Sequence, residues 1–317
     1  MGERPLAIGL DVGGSKVSGV LMSDEGSVLA SELLASPADD VEAMVETVVL
    51  AAERLRAKGP AAAVGLGAAG MVEHTTGVLR SAPNIAWTEV PLRDLVRRRI
   101  GLPCVVDNDA NAAAWGEFRF GAGRGLRHVL LVTVGTGIGG GLIQNGRLYR
   151  GAHGFAAEIG HIIVEPDGPP CGCGNRGCWE QMASGQALER MAREAALGDP
   201  AGPIARTAGG RPPVGPDVVA AAAAGDPAAG TILETVGRRL GEGLAGLANV
   251  LDPEAIVVGG GMAEIGAPFL DPARVRFLEA VEAPDHRPEI PILQAVLGND
   301  AGAIGAAAMA LEPLEDG

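Results

Sequence analysis

The stretch Leu6-Ala-Ile-Gly-Leu-Asp-Val-Gly-Gly-Ser-Lys-Val-Ser-Gly-Val-Leu21 places two short apolar runs on either side of a glycine-rich turn. Such runs around a tight turn are typical of a β-hairpin. A second unit of this kind begins at Val129-Leu-Leu-Val-Thr-Val134, turns through Gly135-Thr-Gly-Ile-Gly-Gly-Gly141 and returns in Leu142-Ile143. The two units differ in sequence, so they predict a duplicated architecture and not an array of short repeats.

Composition limits both the size of the fold and its partners. A chain of 317 residues is long for one hydrophobic core, so we expect two lobes. The formal net charge of -14 argues against nucleic acid or an anionic membrane as a partner. The sequence contains no apolar run long enough to cross a bilayer, and its first residues lead directly into a predicted strand, so we expect neither a membrane span nor a signal peptide. Few, clustered cysteines suit a reducing compartment, so we expect a cytoplasmic protein.

The remaining pattern alternates between strands and helices. Asp39 or Asp40 can cap a helix with one apolar face, and Gly59-Pro60 ends it. Further elements are predicted as strands at 63–66, 103–106 and 255–258, an Ala/Gly/Pro-rich helical insertion at 195–230, a helix at 232–251 and a closing small-residue helix at 301–311. Small side chains and 49 glycines fit tightly packed α/β layers with many sharp turns.

Three of the four cysteines and one histidine lie at metal-ligand spacing. Glu158-Ile-Gly-His161 is followed by Cys171-Gly-Cys173-Gly-Asn-Arg-Gly-Cys178-Trp-Glu180. Three thiolates and an imidazole fill a tetrahedral zinc site and leave no position for catalysis. Cys-x-Cys is tighter than the usual zinc knuckle, so a redox thiol pair or unliganded cysteines stay open as alternatives. Because the acids Glu158 and Glu180 are not needed as ligands, we expect them to bind the hydroxyls of a polyol.

Backbone N–H groups in glycine-rich turns can bind phosphate where no basic groove exists. Candidate turns are Asp11-Val-Gly13-Gly14-Ser15-Lys16, Gly135-Thr136-Gly137 and Gly259-Gly260-Gly261. Neither of the first two turns matches a Walker loop or a Rossmann fingerprint. Each turn alone could be an ordinary hairpin, but together they favour nucleotide binding.

Asp109 lies where a predicted strand ends and a helix begins. A carboxylate there can take a proton from an alcohol, while the amide of Asn108 holds neighbouring hydroxyls. Helix capping is the structural alternative, since Asn and Asp are preferred at that position. Asp11 could hold Mg²⁺ through water, or it could simply be a turn residue.

These motifs, with Asn108-Asp-Ala-Asn111, occur in the order found in the ROK family (repressors, open reading frames and sugar kinases). The chain resembles this family from end to end. It is most similar to the ATP-dependent glucokinases of the actinobacterial (streptomycete) type, with Gly67-Ala-Ala-Gly-Met71 especially close. The resemblance implies a two-lobed actin-like, ribonuclease-H-like α/β sugar kinase fold with a zinc-stabilised loop at 158–180. It places a small lobe at 1–111, completed by a C-terminal helix at 302–317, and a large lobe at 112–301.

The resemblance also implies a role for each motif residue. Asp109 would be the general base toward the 6-hydroxyl of glucose, and His161 would serve both zinc and sugar. The sugar-binding set would be Gly70, Asn84, Asn108, Asp109, Glu158, His161 and Glu180. The nucleotide set would be Asp11, Gly13, Gly14, Ser15, Lys16, Gly135, Thr136, Gly137, Gly259, Gly260 and Gly261. The zinc ligands would be His161, Cys171, Cys173 and Cys178, with Mg²⁺ accompanying ATP.

The expected activity is phosphoryl transfer from MgATP to glucose, in a homodimer or homotetramer that binds no nucleic acid and no membrane. Rival functions are a ROK kinase for N-acetylmannosamine or fructose and, with less support, a sugar-responsive repressor. Polyphosphate is the less favoured phosphate donor. Two positions depart from the family pattern: Ala69 stands where many relatives have proline, and Asp300 adds an acid near the closing glycine-rich motif. The first makes the geometry of the sugar loop harder to predict.

Overall fold

The computed structural model describes residues 5–82 and 87–312. The chain forms two compact units. Unit 1 comprises Met1–Leu131, Gly140–Ala157 and Ala295–Gly317, and unit 2 comprises Val132–Gly139 and Glu158–Gln294. The predicted lobe boundaries rest on resemblance rather than on compactness, and they stay a prediction.

The strands, in chain order, are β1 (Leu6–Val12), β2 (Lys16–Ser23), β3 (Val28–Ala35), β4 (Ala61–Ala68), β5 (Met71–Glu73), β6 (Val78–Ser81), β7 (Thr88–Val90), β8 (Cys104–Asn108), β9 (Val129–Val134), β10 (Ile138–Gln144), β11 (Arg147–Leu148), β12 (Ala255–Gly259) and β13 (Ile292–Gln294). The α-helices are α1 (Val41–Arg56), α2 (Leu92–Ile100), α3 (Asp109–Phe120), α4 (Glu180–Ala183), α5 (Gly185–Gly198), α6 (Pro203–Ala208), α7 (Gly215–Ala223), α8 (Pro227–Leu251), α9 (Ala267–Ala280) and α10 (Ala301–Ala310).

Two five-stranded sheets share one strand order. The first runs β3-β2-β1-β4-β8, and the second runs β11-β10-β9-β12-β13. In the first, β1 pairs antiparallel with β2 and parallel with β4, which pairs parallel with β8. In the second, β12 and β13 are parallel. The matching order confirms the predicted duplication, and the register of β1 with β2 confirms the first predicted hairpin.

Small residues let helix α10 lie close to the first sheet and to helix α3. A Cβ added at Gly65 would lie 1.8 Å from the carbonyl oxygen of Ala306, and one at Gly305 would lie 1.7 Å from that of Ala112. Both approaches place backbone against backbone, so any larger residue would separate the elements. The predicted small-residue helix therefore supports α3, whose first turn carries Asp109.

In unit 2, helix α8 buries a stripe of apolar residues that includes Leu233, Leu240 and Leu244. Trp179, just before α4, is 1% exposed, and its indole N–H donates to the carbonyl of Arg239 at 2.8 Å. A Cβ at Gly243 would lie 2.0 Å from the Trp179 ring. This contact anchors the end of the cysteine-rich loop to the long helix.

Several local predictions are confirmed and others need correction. Asp40 is the N-cap of α1, and its carboxylate accepts from the N–H groups of Glu42 and Ala43. Helix α8 begins at Pro227, five residues before the predicted start at 232, because Asp226 caps it and proline fits the first turn. The predicted insertion at 195–230 holds α6 and α7, as well as the end of α5 and the start of α8. Within the described ranges, no helix is both long and apolar enough to span a membrane.

Candidate active site

Asn108, the last residue of β8, is the N-cap of α3. Its Oδ1 accepts hydrogen bonds from the N–H groups of Ala110 at 2.9 Å and Asn111 at 3.1 Å. Its Nδ2 donates to the carbonyl of Gly70 at 3.0 Å and to Oδ1 of Asp109 at 2.9 Å. The capping role considered for Asp109 is thus filled largely by Asn108, which also holds the neighbouring carboxylate and the loop before β5.

The carboxyl groups of Asp109 and Asp11 both have raised pKa values. Burial raises the pKa of Asp109, although hydrogen bonds from Ala110, from its own backbone and from Asn108 partly oppose this. Burial also raises the pKa of Asp11 to about 7, and the charge of Asp109 adds to that rise while Lys16 reduces it. Both residues are partly exposed as whole residues, and desolvation of the carboxyl group is the largest cause of each rise. A proton acceptor of raised pKa is well matched to catalysis near neutral pH.

Asp107 precedes this pair and is 3% exposed. Its Oδ1 accepts from the N–H of Asn108 at 2.8 Å and from Nδ2 of Asn111 at 2.9 Å. Its Oδ2 accepts from Nε of Arg150 at 2.6 Å. Sequence reasoning did not find Arg150, because its partner lies 43 positions upstream and no motif connects them.

The first glycine-rich turn joins β1 to β2. The N–H of Gly13 donates to the carbonyl of Lys16 at 3.0 Å, and the hydroxyl of Ser36 donates to the carbonyl of Gly13 at 2.7 Å. These bonds hold the turn in a fixed shape. Because the N–H of Gly13 is already engaged, the N–H groups of Gly14 and Ser15 are the better candidates to bind an anion.

The second glycine-rich turn, between β9 and β10, is held by Glu180. The N–H of Gly135 donates to the carbonyl of Gly137 at 2.9 Å, and the N–H of Ile138 donates to Oε2 of Glu180 at 3.0 Å. A Cβ at position 137 would lie 2.2 Å from that carboxylate oxygen, whereas one at position 135 would meet nothing within 4 Å. A side chain at 137 would therefore displace the Glu180 carboxylate from its hydrogen bond to Ile138, while the turn stays open at 135.

The third glycine run follows β12. Gly260 has φ of 84°, and a Cβ there would lie 2.5 Å from the carbonyl oxygen of Val134. A Cβ on Gly261 would meet nothing within 4 Å. The fold accordingly explains glycine at 260 and leaves open space at 261.

His161, Cys171, Cys173 and Cys178 come together as predicted, with ligand atoms all within 4.8 Å of one another. Sγ of Cys171 lies 3.7 Å from Nδ1 of His161, and Sγ of Cys173 lies 3.6 Å from that of Cys178. Zn–S bonds of about 2.3 Å and a Zn–N bond of about 2.0 Å in a tetrahedron give edges of roughly 3.5 to 3.8 Å. The four residues therefore fit a structural zinc ion.

The two spare acids have different surroundings. Oε1 of Glu180 lies 3.8 Å from Sγ of Cys171, so this side chain faces both the cysteine cluster and the turn at Ile138. Glu158 is exposed and follows Ala157, whose φ of 67° lies in the left-handed region that non-glycine residues rarely occupy. Such backbone conformations cluster at functional sites. Asn84, the remaining predicted sugar contact, lies outside the described residues.

Residues 7–313 match the model of the ROK family. The chain belongs to the ROK family. It is 44% identical to the glucokinase of Streptomyces coelicolor over 312 aligned residues. The alignment covers 97% of this chain and 98% of that protein. The crystal structure of a ROK family glucokinase from Streptomyces griseus in complex with glucose and AMPPNP is similar, with a TM-score of 0.88 and 44% identity over 96% of this chain and 99% of that chain. The ROK hexokinase of Thermus thermophilus has a TM-score of 0.78 and 35% identity, covering 96% and 97% of the two chains.

ROK membership confirms the resemblance inferred from the ordered motifs, and the structural match confirms the predicted α/β ROK sugar kinase fold. The clustered Cys₃His group agrees with the predicted zinc-stabilised loop. In this ROK chain, Asp109 and Asn108 belong to unit 1, whereas Glu158, His161 and Glu180 belong to unit 2. Their roles toward sugar and nucleotide remain predictions.

Proposed function

We propose that this chain is an ATP-dependent glucokinase that transfers the γ-phosphoryl group of MgATP to the 6-hydroxyl of glucose. The observation that carries the proposal is the end-to-end similarity, at 44% identity and a TM-score of 0.88, to a glucokinase solved with glucose and AMPPNP. The raised pKa of the buried Asp109 carboxyl agrees with the general base that this reaction needs.

In the proposed reaction, the carboxylate of Asp109 accepts the proton of the 6-hydroxyl as that oxygen attacks the γ-phosphorus. The bond between the γ-phosphorus and the β,γ-bridging oxygen breaks, and ADP leaves with the electron pair. Catalysis of this kind rests mainly on positioning and charge neutralisation. Asn108 fixes one oxygen of the Asp109 carboxylate through its 2.9 Å hydrogen bond, which leaves the other for the alcohol.

The sugar would be bound by the predicted sugar-binding set. His161 directs Nδ1 toward Cys171, so its Nε2 remains for a sugar hydroxyl. Zinc would fix the loop that carries His161 and Glu180 without taking part in the chemistry. Gly70, whose carbonyl accepts from Asn108, would line the sugar loop together with Asn84.

The nucleotide would be bound by backbone N–H groups. Gly14, Ser15 and Thr136 offer donors in the two hairpin turns, with Gly13, Lys16, Gly135 and Gly137 shaping those turns. The open side of Gly261, after Gly259 and Gly260, suits close approach of the adenosine. Asp11 would hold Mg²⁺ through water, and the cation would relieve the repulsion between Asp11 and Asp109.

A coupled phosphorylation assay tests the proposal. Purified protein is supplied with ATP and Mg²⁺ and with glucose, fructose, mannose or N-acetylmannosamine in turn, and then with polyphosphate in place of ATP. We expect the highest kcat/KM for glucose with ATP. A higher kcat/KM for another hexose would reassign the substrate within the family, and no turnover of any hexose would overturn the kinase assignment. A gel-shift assay with DNA should show no binding, which would count against the repressor function.

A further inference from the structure

The buried carboxylate of Asp107 connects the guanidinium of Arg150 to the turn that carries the proposed base, Asp109. The Asp107 side chain is 4% exposed, and the Arg150 side chain that donates to it at 2.6 Å is 27% exposed. The other oxygen of Asp107 accepts from the N–H of Asn108 and from the side chain of Asn111. The carboxylate thus receives three donors, two of which belong to the turn that carries Asp109.

We propose that Arg150 is a positioning residue for phosphoryl transfer, acting through Asp107 to fix the Asn108–Asp109 pair in its reactive geometry. This inference rests on the proposed function, because it assumes that Asp109 is the general base. Arg150 itself is not assigned a contact with the substrate.

Asp107 needs this partner because an unpaired charge in a buried place is strongly disfavoured. The nearby imidazole of His74 does not supply a charge, because burial and then the charge of Arg150 lower its pKa. The guanidinium of Arg150 therefore neutralises Asp107. Without it, the buried carboxylate would have no cation beside it and would draw in water, which would weaken its bonds to Asn108 and Asn111.

The connection from Asp107 to the base is short and made of hydrogen bonds. The Asn108 backbone donates to Asp107 at 2.8 Å, and the Asn108 side chain donates to the Asp109 carboxylate at 2.9 Å. The same amide donates to the carbonyl of Gly70 at 3.0 Å. A rotation of Asn108 would therefore displace both the base and the predicted sugar loop, and a displacement of about 1 Å can cost a hundredfold in rate.

The test compares Arg150→Gln, Arg150→Lys and Asp107→Asn with the wild type in the glucose assay. We expect Arg150→Gln to lower kcat by roughly ten- to a hundredfold while the KM for ATP changes by no more than about twofold. Arg150→Lys, which keeps the charge, should recover part of that loss. A double variant that combines Arg150→Gln with Asp107→Asn should lose no more kcat than either single variant, because both substitutions break the same connection to Asn108.

Two matched controls separate positioning from stability. Arg211 makes a bidentate pair with Asp217, whose side chain is 5% exposed, so Arg211→Gln breaks a comparable ion pair in unit 2. It should lower the melting temperature without lowering kcat. Glu312 also experiences the charge of Arg150, so Glu312→Gln is the second control. The kcat of this variant should equal that of the wild type.

The inference is overturned if folded Arg150→Gln keeps kcat within about twofold of the wild type, or if Arg211→Gln loses as much kcat. Should Arg150→Gln fail to fold, Asp107→Asn decides by the same criterion, since it keeps the side-chain volume. A wild-type protein that phosphorylates no hexose would overturn the proposed function and this inference together. An active wild type with unaffected variants would overturn the inference alone.

Discussion

Glu180 accepts a hydrogen bond at 3.0 Å from the backbone N–H of Ile138, at the end of the second glycine-rich turn. Its other carboxylate oxygen lies 3.8 Å from Sγ of Cys171 in the proposed zinc cluster. One side chain therefore joins the turn predicted to bind ATP to the loop predicted to bind sugar. Because the two segments share this residue, a change at Glu180 should affect both substrates.

Replacing Glu180 by Gln should raise the KM for glucose and the KM for ATP together, each by roughly tenfold. The physical reason is that the amide is a weaker acceptor than the carboxylate, and a hydrogen bond to a charged group contributes about 1.5 to 3 kcal/mol. Steady-state kinetics with both substrates varied would measure this. Gln186→Ala is the matched control, because position 186 contacts the same turn through its backbone N–H, which the substitution keeps. An effect of Glu180→Gln on glucose alone would contradict the shared role.

Replacing Asp109 by Ala should lower kcat by about two to four orders of magnitude, because the alcohol loses its proton acceptor. Glucose binding, measured by isothermal titration calorimetry, should be largely retained, since the other residues predicted to bind the sugar are unchanged. Asp24→Asn, at an exposed turn, serves as a control and should keep the wild-type rate. Near-normal turnover of Asp109→Ala would remove Asp109 from the chemistry.

Replacing Cys171, Cys173 or Cys178 by Ser should each release zinc and expose the loop at 158–180 to proteases. The expected cause is that a structural zinc site holds its loop only with the full ligand set. Zinc content per chain and limited proteolysis are the measurements. Cys104→Ala is the control: this cysteine is buried in unit 1, where burial raises its pKa to about 12, so it should not affect zinc content. Wild-type protein purified without zinc would refute the metal assignment.

Local patterns predicted much of the fold. Apolar runs around glycine turns predicted the hairpin of β1 and β2, and the preference of aspartate for helix caps predicted Asp40 at the start of α1. The Cys₃His cluster was predictable because its ligands are close in the sequence and zinc geometry restricts their spacing. Each of these features is encoded within about twenty residues.

Contacts between distant positions could not be predicted in this way. The sequence gives no sign that Arg150 pairs with Asp107, since an arginine after a short strand most often lies on the surface. The bond between Glu180 and Ile138 joins residues 42 positions apart. The raised pKa of Asp11 depends on burial and on its closeness to Asp109, both of which arise only from the tertiary fold.

The pKa of Asp11 predicts how stability depends on pH in the absence of nucleotide and Mg²⁺. The pKa of Asp11 is about 7 in the folded chain, compared with 3.8 for an ordinary aspartate. Between these two pH values the folded chain keeps a proton that the unfolded chain has lost. The unfolded state is thereby favoured as pH rises through this window, by at most about 1.4 kcal/mol per pH unit. The contribution of Asp11 to stability should fall from about pH 4 to about pH 7 and then level off.

The variant Asp11→Asn should remove most of this slope, because the amide carries no charge at either pH. Urea unfolding at about pH 5 and about pH 7.5 would measure the free energy of unfolding at the two ends. The variant should lose less stability than the wild type over this interval, with Asp109 accounting for the remaining slope, since burial raises its pKa in the same direction. Asp24→Asn should keep the wild-type slope. Equal slopes for Asp11→Asn and the wild type would show that the Asp11 carboxyl is ionised throughout this range, and that it needs no cation to become so.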